Sequence, residues 1–241
     1  MTVNDQATTP DFEFAALGEA RNYRAALRDT FAPYLRGAVI EVGAGIGQFT
    51  RELKTLGSIT RLLAIEPDPR FQPGLVREVG QADVLRGTAA DLPPGEAWDA
   101  IVSINCLEHI EEDAAELARY RTHLAERGGH LCLFVPARPE IYAPLDRDFG
   151  HHRRYTLPGL RERLDGAGFD AIELRYFNLV GYFAWWFSFC LLKQRGFSPA
   201  GVRGFDRLVF PAVAWAERTL GAPPIGQSLL AVARARPCAA E

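Results

Sequence analysis

Seven short apolar runs recur along the chain: "AVIEVG", "RLLAIEP", "DVLRGTAA", "WDAIVSINC", "GHLCLFVPA", "DAIELRYFN" and "QSLLAVARA". Segments of helix length, such as Gly47 to Leu56 and Glu111 to Glu126, separate them. The runs are apolar at successive positions rather than at every second one, so both faces of each strand have to be covered. A parallel sheet with helices on either side meets that demand. The expected fold is therefore α/β, a doubly wound, seven-stranded, mostly parallel sheet. In such sheets ligands gather beyond the carboxyl ends of the strands, near the switch in strand order, so function is sought in the turns that follow the strands.

A chain of 241 residues, 48% of them hydrophobic, has material for one domain with a sizeable core. One unit over 1–241 is expected, with an N-terminal helical cap over 12–36, where Ala16, Ala20, Tyr23, Leu27 and Phe31 recur at three- to four-residue steps. An aromatic helical insert or lid is expected over 179–224, before the last strand. The net charge of −3 supplies no global basic field, which argues against a nucleic-acid partner. Cys106, Cys132, Cys190 and Cys238 are scattered with no CxxC pair, and the N-terminus is polar where a secretory signal needs an apolar core. Reduced thiols in a cytoplasmic protein are the expectation.

"VIEVGAGIGQFT" ends the first run in Gly43, Gly45 and Gly47 and then starts a helix. Such a turn brings bare amides close to a ligand at a helix N-terminus, which suits a nucleoside-like cofactor. The dinucleotide fingerprint needs GxGxxG, but Gln48 stands three positions after Gly45, and the spacing is GxGxG. Glu66 ends the second run, where an acceptor-only carboxylate takes hydrogen bonds from two ribose hydroxyls. After the third run, Thr88 and Ala89 offer a hydroxyl and an amide to an adenine edge.

These residues resemble the class I S-adenosylmethionine-dependent methyltransferases. The shared features are the acid-x-GxGxG pattern at Glu41, Gly43, Gly45 and Gly47, the acid ending strand two at Glu66, and the "LEH" segment Leu107-Glu108-His109. The resemblance spans about Tyr23 to Phe177 and implies the Rossmann-like methyltransferase fold with S-adenosyl-L-methionine as cofactor. It implies that Glu41 reaches the amino-acid end of the cofactor, Glu66 the ribose, Thr88 and Ala89 the adenine, and Asn105 and Leu107 the methionine part. Tyr23, Ala44 and Pro67 complete the expected cofactor set. A closer subgroup carries an Asp followed by "GHxRRY" after strand five and "YFN" with a Gly and a Trp pair after strand six, matched here by Asp146, Gly150, His151, Arg153, Arg154 and Tyr155, then Tyr176 to Asn178, Gly181, Trp185 and Trp186.

Methyl transfer from a sulfonium is an in-line displacement, so aligning the acceptor is the principal task. A hydroxyl or ammonium acceptor also needs a base, usually histidine. His109, after strand four, and His151 and His152, after strand five, are the candidates; His123 and His130 read as structural. The acceptor is expected to meet Glu108, Arg153, Arg154, Tyr155, Asn178 and Tyr182. Two readings stand for Arg153 and Arg154: they bind an anionic acceptor bidentately, or they pair with Asp146, Asp148 or Glu108 to brace the loop. No metal is expected, because the Glu-x-x-Glu-His set of the similar ubiquinone-pathway O-methyltransferases has lost one carboxylate at Asn105-Cys106-Leu107-Glu108-His109.

The insert contains "NLVGYFAWWFSFCLL", which has no charge and is too short to cross a bilayer. It reads as a cap on the sheet, a lid over an apolar acceptor, a homodimer surface, or a peripheral membrane or lipid contact. The function that best fits is methyl transfer to O or N of a small molecule, anionic or lipid- or glycan-like, as in natural-product biosynthesis. The rivals are a NAD-dependent oxidoreductase on the same fold, disfavoured by the spacing and the lack of a YxxxK pair, and a non-catalytic S-adenosylmethionine-binding scaffold.

Overall fold

In the computed structural model, residues 16–80 and 83–237 are described, and they build a single seven-stranded sheet flanked by helices. The strands are β1 (Gly37–Val42), β2 (Ile59–Ile65), β3 (Val84–Leu85), β4 (Ala100–Ile104), β5 (His130–Pro136), β6 (Phe169–Phe177) and β7 (Ser228–Ala235). Their order is β3-β2-β1-β4-β5-β7-β6. β1 to β5 pair in parallel, and β7 runs antiparallel to both of its neighbours. The expected mostly parallel sheet is present. β3, however, is only two residues long, because after Leu85 the chain turns away into a 3-10 turn at Ala89–Asp91.

Successive strand residues feed opposite layers, as the unbroken apolar runs require. Ile101, Leu131, Leu133, Val135, Leu229 and Ala231 enter one core with Tyr120, Leu160 and Leu164 from helices α4 (Asp113–Leu124) and α6 (Leu157–Gly166), numbered within the series below. Ala100, Val102, Cys132, Phe134, Leu230 and Val232 enter the other core, with Leu27, Phe31 and Phe210. The remaining helices are α1 (Arg21–Phe31), α2 (Gln48–Leu53), α3 (Gln72–Val79), α5 (Pro144–Asp148), α7 (Leu179–Trp185), α8 (Pro199–Gly204) and α9 (Phe210–Leu220). Wider π-helical turns extend α7 through Trp186–Leu191 and join α8 to α9 through Phe205–Val209.

The N-terminal helix is shorter than its pattern suggests. Ala20, at φ −83° and ψ 61°, leaves helical geometry, and α1 passes at Phe31 into a 3-10 turn over Ala32–Tyr34. Residues 12–15 of the expected cap, and Cys238, lie outside the described residues. No local side chain caps α1; the carboxylate of Asp206, far along the chain, accepts from the amides of Asn22 (3.0 Å) and Tyr23 (2.9 Å). The insert thereby takes over the orphan donors of the N-terminal helix. No described helix is long and apolar enough to cross a membrane.

Candidate active site

The strand order switches direction between β1 and β4, and ligands of such sheets gather beyond the carboxyl ends of the strands at that switch. The first of these turns is the glycine turn. Gly43, Gly45 and Gly47 all have positive φ, at 76°, 55° and 85°, a region that side chains other than glycine rarely enter. A Cβ on Gly43 would lie 2.5 Å from Cys106 Sγ, so the turns after β1 and β4 touch at this point. Burial and nearby carboxylates push the Cys106 thiol up to about 12, leaving a neutral packing group.

Two acids frame the turn. Glu66 is buried; its Oε2 accepts from Gly45 N and its Oε1 from Asp68 N, each at 2.8 Å. A carboxylate oxygen has two lone-pair sites, so each oxygen keeps one for a further donor. Burial raises its pKa, while the two amides offset part of the shift. Glu41, 2% exposed in β1, is pushed up to about 8 by burial, and the charge of Glu66 adds to that. Its Oε2 is buried without a hydrogen-bond partner. Thr50 is a side-chain partner of Glu41, but a buried carboxylate oxygen left unpaired in the strand that leads into the glycine turn fits a cationic ligand group, and a second acid with spare acceptor sites fits a pair of hydroxyls. The residues therefore suit a nucleoside that carries an ammonium.

Other members of the expected cofactor set sit differently. Thr88 is taken up by a local cap, since its hydroxyl donates to Asp91 and accepts from Ala90 N, while Ala89 is buried. Asn105, at φ 47°, presents an exposed side chain after β4. Leu107 is wholly buried and packs in the core. Tyr23 packs edge-on against Phe134 and Phe177, and its hydroxyl is directed to Ser228 and Asn178, none of them on the glycine turn. Ala44 is buried in the turn, and Pro67 follows Glu66 at the end of β2.

The loops after β4 and β5 are stapled into one wall. His152 N donates to Glu108 O (2.9 Å), Tyr155 Oη to Asp113 (2.9 Å) and Leu107 O (3.3 Å), and Arg153 to Glu111 O and Asp113, each at 2.7 Å. His109 sits under Gly150 and hydrogen-bonds to the backbone of Phe149 and Gly150. The protein packed around the ring, with His151 and His152 beside it, lowers its pKa to about 4, while part of the residue stays exposed.

Within this wall Asp146, wholly buried, is the organising group. Its Oδ2 accepts from Ala143 N (2.7 Å), and its Oδ1 accepts from Arg154 Nε and from His151 Nδ1, both at 2.9 Å. Burial alone would raise its pKa; these donors outweigh it, and Asp146 titrates below the usual carboxylate range. An ionised carboxylate only accepts, so Nδ1 of His151 carries a proton, and Nε2 is the ring nitrogen turned away from Asp146. That Nε2 lies 3.9 Å from Glu108 Oε1, and the His109 and His151 rings stand 4.7 Å apart. One ligand atom from each of Glu108, His109 and His151 falls within 4.8 Å of the others, a spacing that fits a cation. The wall thus supplies an oriented imidazole beside a buried acid.

The arginines resolve toward bracing. Arg154 is buried against Asp146 and Ala137 O, with its guanidinium 4.3 Å from the Trp185 ring, and Arg153 pairs with Asp113. Asp146 is the brace foreseen for Arg154, whereas Asp148 pairs with Arg195. Of the two readings, the pairings of Arg153 with Asp113 and of Arg154 with Asp146 support the brace. Tyr155 and Asn178, expected at the acceptor, also have partners within the fold. Tyr155 bridges the two loops, and Asn178, buried at φ 65°, caps α7 through Gly181 N (2.9 Å) and donates to Gln227 (3.0 Å). Tyr182 is half-buried beside Phe183 and Arg138. Of the histidines, His123 is buried on α4 and His130 starts β5 against Tyr34, both structural positions. Sequence reasoning missed the role of Asp146 in orienting His151, although the two stand five positions apart across one short helix.

This arrangement defines the class I S-adenosylmethionine-dependent methyltransferase fold. Residues 17–174 match the family model described as a methyltransferase domain, and the chain belongs to that family. An uncharacterized methyltransferase of Staphylococcus carnosus is 26% identical over 131 residues, which cover 52% of this chain and 62% of the relative, so the chain spans less than two thirds of that relative's length. Among solved structures, a Haloferax volcanii methyltransferase in complex with the Trm112 activator superposes with a TM-score of 0.60 at 20% identity, covering 97% of this chain and 100% of the other. The 1,6-didemethyltoxoflavin-N1-methyltransferase of Burkholderia thailandensis, bound to its substrate and S-adenosylhomocysteine, gives 0.54 at 19% identity, covering 90% of this chain and 78% of the other.

Proposed function

We propose that this chain moves a methyl group from S-adenosyl-L-methionine to an oxygen or nitrogen of a small molecule, with His151 as the base that takes the acceptor's proton. The observation that carries this reading is the Asp146–His151 hydrogen bond of 2.9 Å, which fixes the imidazole through Nδ1 and turns Nε2 away from Asp146. When bound, the cofactor supplies the electrophilic methyl group. Glu41 and Glu66 would hold its ammonium and ribose, and the amides of Gly43 to Gly47 would line it. Ala44, Pro67, Asn105, Thr88 and Ala89 belong to the rim of that cradle. His109, bonded to the Phe149–Gly150 backbone, keeps the two loops in register and closes the floor under His151. His152 ties the loops through its backbone amide.

The acceptor would enter past Tyr182 and His151. Because Arg153 and Arg154 are internally paired, an anionic group on the acceptor is no requirement of this site. The small-molecule acceptor of the Burkholderia thailandensis enzyme is a precedent for that substrate class.

A second reading comes from the convergence of Glu108, His109 and His151. A divalent ion held there would occupy the His151 Nε2 lone pair, and His151 would then position the acceptor instead of taking its proton. The test is transfer of labelled methyl to a panel of hydroxyl and amine acceptors, with and without a chelator. Turnover that survives chelation and is lost in His151→Ala supports the base. Turnover lost on chelation and restored by a divalent ion supports the second reading. Normal turnover in His151→Ala removes the base assignment.

A further inference from the structure

Ten of the twelve large hydrophobic residues that are exposed among the described residues belong to the segment between β6 and β7. Phe183, Trp186, Phe187 and Leu191 form one stripe along α7 and its π-helical extension. Leu208, 82% exposed, and Trp215, 58% exposed, lie on the π turn before α9 and on α9 itself. Trp185 and Phe189, on the opposite side of the stripe, are buried against Ile141, Ala143 and Leu145. The stripe is therefore surplus to folding, and a soluble monomer rarely leaves that much apolar surface in one place.

Charge says what covers it. Over 179–224 the chain carries Lys193, Arg195, Arg203, Arg207 and Arg218 against only Asp206 and Glu217, while the whole chain has a net charge of −3. Both acids face inward. Asp206 caps α1, and Glu217 accepts from the amides of Asn178 (3.2 Å) and Leu179 (2.9 Å) at the start of α7. Lys193, Arg207 and Arg218 are exposed, and no ion pair holds them among the described residues. Two copies facing each other would bring these cations together with no carboxylate of the segment to meet them. An anionic lipid surface meets both the cations and the apolar stripe, and Trp suits the boundary between headgroups and acyl chains.

We propose that α7, with its π-helical extension, and α9 form an interfacial surface that seats this protein on an anionic bilayer. The same segment is the outer support of the acceptor wall. Trp185 Nε1 donates to Ile141 O (3.0 Å) and its ring carries the Arg154 guanidinium; nearby, exposed Tyr142 donates to His151 O (2.7 Å). Seating the stripe in a membrane would place the proposed methyl-transfer site at the lipid boundary, where a lipid-borne acceptor is presented. Only that last consequence rests on the methyltransferase reading; the surface itself does not.

The test is co-sedimentation of the full chain with phosphatidylcholine vesicles, with and without phosphatidylglycerol. Binding to the phosphatidylglycerol vesicles is expected, weakening with salt and much weaker on phosphatidylcholine alone. The variant Lys193→Glu/Arg207→Glu should lose at least about tenfold in vesicle affinity, and Phe187→Ser/Leu191→Ser should lose binding. Melting curves and S-adenosylhomocysteine affinity, both unchanged, show that these variants are folded. A wild-type protein that stays in the supernatant with phosphatidylglycerol vesicles overturns the proposal. So does a stable dimer by light scattering that Phe187→Ser/Leu191→Ser dissociates while vesicles are ignored. Vesicle binding without S-adenosylhomocysteine binding leaves the surface standing and removes the methyltransferase reading instead.

Discussion

Glu41 gives the sharpest test of the cofactor cradle, because burial has pushed its pKa to about 8 in the free protein. At pH 7 a group with that pKa is about nine-tenths protonated, so the buried acid sits neutral under the glycine turn. An ammonium brought beside its orphaned Oε2 favours the ionised form, and binding then expels close to one proton. The expected release is about 0.9 proton per ligand at pH 7, falling to about 0.1 at pH 9, where the free protein is already ionised. Calorimetric titration of S-adenosylhomocysteine in buffers of different ionisation enthalpy reads this number directly. Glu41→Gln removes the titrating group and should abolish the difference while weakening binding. The unliganded protein offers a second readout of the same acid. Its folded pKa lies above its unfolded value, so its favourable contribution is present below about pH 4 and is lost as pH rises to about 8. Glu41→Gln should therefore flatten the decline in melting temperature across that window. Equal proton release from wild type and Glu41→Gln at pH 7 would refute the reasoning.

Other outcomes follow from the same geometry. Gly45→Arg should abolish S-adenosylhomocysteine binding, because it fills the space over a turn held at φ 55°; unchanged affinity would displace the cradle. His151→Ala should lower turnover by about 10²–10⁴-fold while leaving S-adenosylhomocysteine affinity within about tenfold. Arg154→Met strands the buried charge of Asp146 and should cost about 3–5 kcal/mol in urea unfolding; a loss below about 1 kcal/mol would mean the pair is dispensable. Since Asp146 titrates below its ordinary range when folded, its stabilising contribution should be complete above about pH 4 and lost below it, and Asp146→Asn should lack that acid-side step in a pH series of melts.

The sheet and the glycine turn were legible because each rests on a local rule. Runs such as "LCLFVPA" fill both cores from adjacent positions, and only glycine sits easily at the φ values of Gly43 and Gly47. The acceptor wall was not legible, because its partners are distant in sequence. "GHHRRY" shows a basic cluster, yet Arg153 is matched by Asp113 from the start of α4 and Asn178 by Gln227 from the start of β7's approach. Adjacent histidines also part company: His151 turns to Asp146, while His152 contributes its backbone amide to Glu108 O. Tyr23 reads as part of a cofactor-side helix, but its ring packs against Phe177 at the end of β6 and Phe210 at the start of α9, and the second of these reaches it only once the insert has folded back onto the sheet.

The most direct measurement is a crystal structure of the protein with S-adenosylhomocysteine. The account predicts the nucleoside along Gly43 to Gly47, its ribose on Glu66 and its ammonium at Glu41, with the sulfur turned toward the wall that carries His151. Ligand bound away from the glycine turn, or a turn closed to it, would contradict the account.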